Sequence, residues 1–390
     1  MEGPWELADP HFACPGPTEQ YDGCVRGESG PTMFWPLPAT QRHHGSSSSS
    51  SGGGGSRGEA GTAGGDDGPT HLLSDAGGGS FTVGTLDETT EKFHPLRSVG
   101  ANGSFSTAGG VQFSAAGQAD DGRLLFVGWV GAGAPPAGGW SPLCIPPPNS
   151  SKSWLGKDCG VQMMSSVREL SWDRERQWLV ANPTAELEQL RNRTLLEAHN
   201  RTRLPPGKAQ ELALPHGTGA AMDLSIVFEL PPAAGAAGAG AAAGASNAGG
   251  KEKKADKNDE GAPSDLLLQF GVRVLGRGGP LVNITVSTAA AADGRRSSRL
   301  CRVSGPSGNG PSAQTPFRLL DNEDTLHVRI LTDRSVAEFF VGGGRASRTL
   351  RHYPAQGDYS ASLVATGDDA ADHVVQSVEA YEMGCGWELP

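Results

Sequence analysis

A carboxylate stands beside a tryptophan near the start of the sequence, in the stretch Trp5-Glu6-Leu7-Ala8-Asp9. An apolar neighbour raises the pKa of a carboxyl group, which is how proteins tune such a group for general acid catalysis. Glu6 is therefore a candidate acid, with Asp9 as the next carboxylate along the chain. In an extended strand, residues three apart point to opposite faces, so Glu6 and Asp9 would not flank one substrate bond. From the residues alone, the alternative is an exposed glutamate near a chain end.

Other catalytic and metal-binding motifs are missing from the sequence, which has no nucleophile elbow, HExxH motif, P-loop or Rossmann fingerprint. The 10 histidines are scattered, and the 6 cysteines show no CxxC pair or zinc-ligand spacing. We therefore expect neither a metal nor a cofactor. An even number of cysteines fits disulfides, and Cys144 with Cys159 could close a loop. Isolated cysteines in a large chain are equally compatible with simple burial.

The elements that would position these residues are predicted to be strands. Apolar residues recur with a period of two in short runs bounded by Gly, Asp or Pro, which is typical of antiparallel strands. In the first half, strands are predicted over residues 81–83, 111–113, 124–130, 161–170 and 178–180. One helix is predicted over residues 184–195, where Leu187 and Leu190 lie three apart behind Pro183-Thr184.

The second half has the same period of two, with strands predicted over 221–230 and 266–275. Residues 325–331 alternate between apolar and polar, and Asp333-Arg334-Ser335 would turn the chain into a strand over 336–341. Three glycines at 342–344 would then turn it into 345–353. Several short strands at this spacing favour a β-sandwich.

Composition and charge exclude several classes of protein. The 390 residues include 57 glycines and 28 prolines, and glycine is enriched in two low-complexity segments, 41–68 and 231–263, that offer nothing to bury. The net charge of −11 argues against nucleic acid as a partner. No run reaches the ~18 apolar residues that span a bilayer, so we expect no membrane span.

The sequence also bears on cellular location. No basic and apolar signal peptide is visible at Met1-Glu2-Gly3-Pro4-Trp5. Five Asn-x-Ser/Thr sequons are compatible with a secreted or vacuolar protein. Their acceptors are Asn102, Asn149, Asn192, Asn200 and Asn283.

Three stretches resemble glycoside hydrolase family 32, which comprises the invertases and fructan-active enzymes. Gly160-Val161-Gln162-Met163-Met164-Ser165-Ser166-Val167-Arg168-Glu169-Leu170, preceded by Gly128-Trp129 and Gly139-Trp140, is similar to the Gly-Trp and "PREL" strands that end the family's propeller. Residues 179–191 resemble the passage "L-x-Q-x-P-x-x-E-L-x-x-L-R" into its C-terminal sandwich, and residues 333–345 resemble the sandwich hairpin "D-R-S-x-x-E-x-F-x-x-x-G-R".

The resemblance implies an all-β chain with a partial five-bladed β-propeller, lacking its N-terminal blades, followed by a β-sandwich. The implied domains are a catalytic propeller part over 1–182, a linker with a short helix over 183–204, and the sandwich over 205–390. The low-complexity segments 41–68 and 231–263 would be insertions in the first and the last of these.

Site residues follow from the same resemblance. Residues 70–74 and 81–85 resemble the strands that follow the family's acid/base motif "W-E-C-P-D". That placement assigns Glu6 as the general acid/base, with Trp5 and Asp9 as substrate-binding residues. A competing register at Phe12-Ala13-Cys14-Pro15 keeps the Cys-Pro but has alanine instead of the carboxylate.

The family's nucleophile motif "N-D-P-N-G" and its "R-D-P" motif are not found in the sequence. A retaining glycosidase needs two carboxyl groups ~5–5.5 Å apart, and the chain supplies at most one. We therefore expect a hydrolase of β-fructofuranosyl bonds in sucrose or fructans, present as an incomplete chain without its nucleophile. A small carbohydrate is the expected partner.

Two alternatives remain open. One is a fructosyltransferase, which would use the same residues as the hydrolase. The other is a non-catalytic carbohydrate-binding remnant of the same fold, whose tryptophans would stack on sugars, with ordinary core packing as the competing explanation for them. The tryptophans concerned are Trp129, Trp140, Trp154, Trp172 and Trp178.

Overall fold

The computed structural model describes most of the chain outside its low-complexity segments. The described residues are 32–38, 70–75, 80–87, 89–90, 92–98, 100–104, 111–130, 163–204, 207–230, 266–289, 298–305, 315–352, 354, 358–365 and 373–384. They contain 23 strands and one 3-10 helix, which confirms the all-β prediction. None of the described helical residues forms a segment with the length and apolar character needed to cross a bilayer.

The first half of the chain contains two antiparallel sheets of five strands. The first comprises β1 (Thr32–Leu37), β2 (Thr70–Asp75), β3 (Ser80–Asp87), β4 (Lys92–Pro95) and β5 (Asn102–Ser104). Its order is β1-β2-β3-β4, and β5 also pairs with β3. Leu37 of β1, Leu72 of β2 and Val83 of β3 are buried, and so are His71 and Thr82 beside them, so β2 and β3 are covered on both faces.

The second sheet comprises β6 (Val111–Gln118), β7 (Leu124–Val130), β8 (Met163–Met164), β9 (Arg168–Asp173) and β10 (Trp178–Pro183). Its order is β10-β9-β7-β6, and β8 pairs with β7. The predicted strand over 161–170 is thus two strands separated by Ser165–Val167. Neither five-stranded sheet closes on itself, so the number of propeller blades stays a prediction.

The predicted helix over 184–195 is wrong in its second half. A 3-10 helix occupies Ala185–Leu190, and the chain then becomes strand β11 (Arg191–Ala198). The spacing of three between Leu187 and Leu190 fits the 3-10 repeat. Beyond it, pairing of β11 with the last strand of the chain overrides local helix propensity.

The remaining strands form two larger antiparallel sheets. Their bounds are β12 (Thr202–Leu204), β13 (Ala209–Glu211), β14 (Ala221–Glu229), β15 (Leu266–Arg273), β16 (Leu281–Ala289), β17 (Ser298–Ser304), β18 (Thr315–Leu319), β19 (Thr325–Asp333), β20 (Val336–Val341), β21 (Ala346–Arg351), β22 (Ser362–Ala365) and β23 (His373–Met383). One sheet has the order β11-β23-β14-β19-β20-β21, with β12 also paired to β23. The other has the order β13-β22-β15-β16-β17-β18.

These two sheets pack face to face. Phe228 of β14 and Phe270 of β15 stack with ring centroids 3.7 Å apart, and both side chains are buried. Inward-facing residues alternate along the strands, as in Ile226, Val328 and Ile284. This arrangement is the predicted β-sandwich.

The meander predicted over 325–353 is confirmed as β19, β20 and β21. Its first turn places Arg334 at a φ of 52°, and its second places Gly342, Gly343 and Gly344 at φ of 62°, 67° and 84°. Only glycine adopts three consecutive positive φ values without strain, which explains the Gly-Gly-Gly sequence.

The described strands belong to two compact units. The first contains β1–β5 and most of β6–β10, and the second contains the 3-10 helix, β11–β23 and the segment from Val127 to Arg168 as far as it is described. The predicted domain boundaries at 182/183 and 204/205 stay predictions.

Candidate functional site

The predicted catalytic residue Glu6 and the predicted substrate-binding residues Trp5 and Asp9 lie outside the described residues. Their roles as substrate-binding and acid/base residues therefore stay predictions. The strands that the resemblance places after them are present, because β2 and β3 pair in antiparallel register from Thr70↔Thr85 to Ser74↔Phe81. Strand β1, which precedes β2 in the chain, adds an outer strand to this hairpin.

The β1–β2 pair is held by aromatic packing and by burial. Phe34 of β1 stacks on His71 of β2 with ring centroids 4.8 Å apart, and Phe93 of β4 meets Phe34 edge-on at 5.9 Å. His71 is buried, and Thr70 Oγ1 donates to the carbonyl oxygen of Leu37 at 3.4 Å. Stacking, burial and this hydrogen bond therefore hold β1 against β2.

A buried ion pair joins two of the stretches on which the resemblance rests. Arg168, in Ser166-Val167-Arg168-Glu169, is fully buried, and its Nη2 lies 2.7 Å from Oε2 of Glu338 in β20. Oε1 of Glu338 accepts a hydrogen bond of 2.5 Å from the backbone N–H of Ser166. The carboxylate therefore holds both the side chain of one residue and the backbone two positions before it.

Strand β21 completes the shell around the Arg168 guanidinium. Nη2 donates to Thr349 Oγ1 at 2.6 Å, and Nη1 donates to Ser347 Oγ at 3.1 Å. The guanidinium carbon lies 5.1 Å from the centroid of the Phe340 ring, where a cation–π contact is favourable. With its charge neutralised and both Nη atoms hydrogen-bonded, Arg168 is a structural residue and not a reactive one.

The motifs that contain Arg168 and Glu338 could be recognised in the sequence, but their ion pair was not predicted. The signal lay in β20, where Glu338 is the one charged residue in Val336–Val341 and all six positions are buried. A carboxylate in such a strand requires a cationic partner, because an isolated buried charge is prohibitively costly.

A second buried carboxylate fastens the 3-10 helix to the sandwich. Asp223 of β14 is fully buried and accepts from Arg191 Nε at 2.8 Å and from Arg329 Nη2 at 2.8 Å. Arg329 also reaches Glu188 of the 3-10 helix at 3.3 Å, and the Arg191 guanidinium lies 4.5 Å from the Tyr381 ring. These contacts fix where the first sandwich strand begins.

Three carboxylates are buried in the described part of the chain: Asp173, Asp223 and Glu338. Asp173 pairs with Arg176 at 2.7 Å and accepts from the backbone N–H of Glu175 and Arg176 in its turn. All three are bound to arginine, so none of them is available as a general acid. Across the described part of the chain, no cluster of His, Cys, Asp or Glu has a metal-binding arrangement.

Of the tryptophans considered for sugar stacking, Trp172 and Trp178 support core packing, and the side chain of Trp129 lies outside what the structure describes. Trp172 is 1% exposed, and Trp178 packs against Gly100, whose carbonyl oxygen accepts from the N–H of Leu179 at 3.2 Å. A stacking tryptophan must present a ring face to solvent, which Trp172 does not. Trp140 and Trp154 lie outside the described residues, as do the cysteines other than the buried, unpaired Cys301.

Comparison with known proteins shows which family shares this architecture. The family model "Glycosyl hydrolases family 32 C terminal" matches residues 186–382. A 67-residue stretch is 43% identical to a bifunctional 6(G)-fructosyltransferase/2,1-fructan:2,1-fructan 1-fructosyltransferase of Allium cepa, and covers 17% of this chain and 11% of that protein.

Among solved structures, the chain is similar to fructan 1-exohydrolase IIa of Cichorium intybus, with a TM-score of 0.59 and 18% identity over 90% of this chain. A second structure of that enzyme, in complex with 1-kestose, matches with a TM-score of 0.58 and 18% identity over 90% of this chain. The chain spans 60% of the first structure's length and 61% of the second's, and likeness at this identity concerns the fold. With a family model matching half of its length on a sandwich of the same kind, the chain belongs to glycosyl hydrolase family 32.

Proposed function

We propose that the chain belongs to an enzyme that hydrolyses β-fructofuranosyl bonds of sucrose or fructans with retention of configuration. The observation that carries the proposal is the family match over residues 186–382. The fold supports it, because the similar Cichorium intybus structures are named as a fructan 1-exohydrolase and one of them holds 1-kestose.

In the proposed reaction, Glu6 gives its proton to the oxygen that leaves with the glucosyl group, and Trp5 keeps that carboxyl in an apolar setting. Burial beside an aromatic ring raises the pKa of a carboxyl group and keeps it protonated near neutral pH. Asp9 would accept hydrogen bonds from hydroxyl groups of the fructosyl ring. A retaining enzyme also needs a carboxylate nucleophile on the opposite face of the sugar, and we assign none to this chain.

A fructosyltransferase is the second candidate, favoured by the 43% identity to the Allium cepa enzyme over 67 residues. The two activities share the fructosyl-transfer step and differ in whether water or a sugar hydroxyl accepts the group. Product analysis with sucrose distinguishes them, since hydrolysis yields free fructose and transfer yields a trisaccharide.

The test uses sodium azide as an external nucleophile with the purified chain and sucrose. An azide nitrogen attacks the anomeric carbon of the fructosyl group, the bond from that carbon to the glucosyl oxygen breaks, and Glu6 protonates the oxygen. The products are fructosyl azide and glucose. We expect little glucose without azide and azide-dependent glucose release with it.

Two carboxylate variants make the test specific. Glu6→Gln removes the acid and should abolish the azide-dependent release, whereas Glu28→Gln removes the nearest carboxylate before β1 and should leave it intact. If glucose release with azide were lost in Glu28→Gln and kept in Glu6→Gln, the general acid would be Glu28 and not Glu6. Rapid azide-independent hydrolysis would show that the chain carries its own nucleophile.

A further inference from the structure

A hollow of about 180 Å³ opens at one edge of the sandwich, where β11 and β12 of one sheet face β13 and β22 of the other. Its floor is apolar, since the inward-facing residues of both sheets meet there without a covering strand. The floor residues are Leu196, Leu204, Leu212, Leu363, Val375 and Val378. Leu204, Leu363, Val375 and Val378 are already buried, so the apolar surface still open to water includes that of the partly exposed Leu196 and Leu212, and it gains free energy when it is covered.

Asn200 stands on the rim of this hollow and is the acceptor of a glycosylation sequon, Asn200-Arg201-Thr202. It is exposed, in the short irregular segment where the edge passes from β11 to β12. Thr202 also lines the hollow, and its Oγ1 donates to the carbonyl oxygen of Asn200 at 3.1 Å. The tripeptide therefore forms a turned and accessible acceptor beside the cavity.

Two other sequons, at Asn283 and Asn192, differ from this one. Asn283 lies in the middle of β16, paired with Gly271 on one side and Ser304 on the other. Its Oδ1 is buried without a hydrogen-bond partner and lies only 3.0 Å from where a Cβ on Gly271 would stand, so a glycan on this side chain would disturb the packing of β16 against β15. Asn192 is exposed at a register shift of β11 but does not line the hollow.

We propose that Asn200 carries an N-linked glycan whose first N-acetylglucosamine covers this hollow. The donor is a lipid-linked diphosphate oligosaccharide. The amide nitrogen of Asn200 forms a bond to the anomeric carbon of the sugar, the bond from that carbon to the diphosphate oxygen breaks, and one amide proton is lost. The ring C–H face and the acetyl methyl group of the sugar then contact the apolar floor, while its hydroxyls face water and the polar rim residues Gln210 and Glu211.

The test expresses the full chain behind a cleavable secretion leader in a eukaryotic host. Enzymatic release of glycans in ¹⁸O-water marks each occupied asparagine, and peptide mass spectrometry reads the marks on secreted and retained chain alike. We expect Asn200 to be occupied and Asn283 to be empty in the folded chain. An unoccupied Asn200, or an occupied Asn283 in folded chain, overturns the proposal.

Covering of the hollow has its own measurement. Asn200→Gln should lower the Tm by about 2–4 °C relative to the glycosylated chain, whereas the matched control Asn192→Gln should leave the Tm unchanged. Trimming with an endoglycosidase that leaves a single N-acetylglucosamine should keep the Tm of the wild-type chain. Thr202→Ala removes the same sequon and should remove the same glycan. Equal Tm values for the Asn200 and Asn192 variants overturn the contact between sugar and hollow.

Discussion

The buried pair of Arg168 and Glu338 makes a quantitative prediction about stability. Removing the charge of Glu338 in Glu338→Gln leaves the fully buried Arg168 guanidinium uncompensated. Two unit charges ~4 Å apart attract by about 4 kcal/mol at the effective dielectric constant of ~20 that suits protein sites. Breaking a buried pair by removing one partner costs about 3–5 kcal/mol, in agreement with that value.

The expected result is a loss of about 3 kcal/mol in the free energy of unfolding, measured by urea denaturation followed by tryptophan fluorescence. For a unit of this size, that loss lowers the Tm by roughly 6–12 °C. The double variant Arg168→Met/Glu338→Leu removes both charges. Its loss of unfolding free energy should therefore be smaller, by at least about 2 kcal/mol, than the sum of the losses in Arg168→Met and in Glu338→Leu.

Glu211→Gln is the matched control, because Glu211 pairs with Arg277 at 3.0 Å while both side chains are more than half exposed. Water screens such a pair, so the expected cost is at most about 0.5 kcal/mol. If Glu338→Gln and Glu211→Gln cost the same, Arg168 is not a buried charge and the account of this cluster fails.

Three further predictions concern individual positions. Gly344→Ala should destabilise the chain by more than Gly343→Ala, although both glycines have a positive φ. The reason is that a Cβ at position 344 collides with Ala181, whereas a Cβ at position 343 meets nothing within 4 Å. Equal unfolding free energies of the two variants would contradict this prediction. Burial lowers the pKa of His352, so the unfolded chain binds the proton at a higher pH than the folded chain, and the free energy of unfolding falls as the pH drops below about 6.5. His352→Gln should reduce the dependence of the unfolding free energy on pH, measured by denaturation between pH 7 and 5. An unchanged dependence would contradict this prediction. Burial raises the pKa of the Cys301 thiol, so iodoacetamide at pH 8 should label Cys301 only after unfolding. Peptide mass spectrometry reads the label at this cysteine, and labelling of Cys301 in the native chain would refute its burial.

Strands were predictable from sequence where alternation is strong and the turn chemistry is explicit. The expected strands at 124–130 and 336–341 coincide with β7 and β20, because each is bounded by residues that end a strand. Strand β1 was not predicted, since Pro36 argues against a strand unless it lies at a sheet edge, which is where β1 lies.

Features that depend on distant partners could not be predicted locally. The first part of β11 was predicted as helix, because the strand that pairs with it, β23, lies almost 200 residues further along the chain and leaves no local signal. In the same way, Arg168 and Glu338 are separated by 170 residues, so the motifs could be recognised while their ion pair could not. The candidate acid Glu6 rests on its position beside Trp5 and on the resemblance.

The most direct test of the proposed function is the configuration of the fructosyl azide formed from sucrose, read by NMR. Glu6 is proposed to act on the side of the leaving group, with no nucleophile from the chain on the opposite face, so azide should attack that face and give the α-anomer by a single displacement. The β-anomer would show two displacements through a carboxylate of the chain. Formation of that anomer would contradict the assignment of no nucleophile to this chain, and formation of no azide product at all would contradict the proposed function.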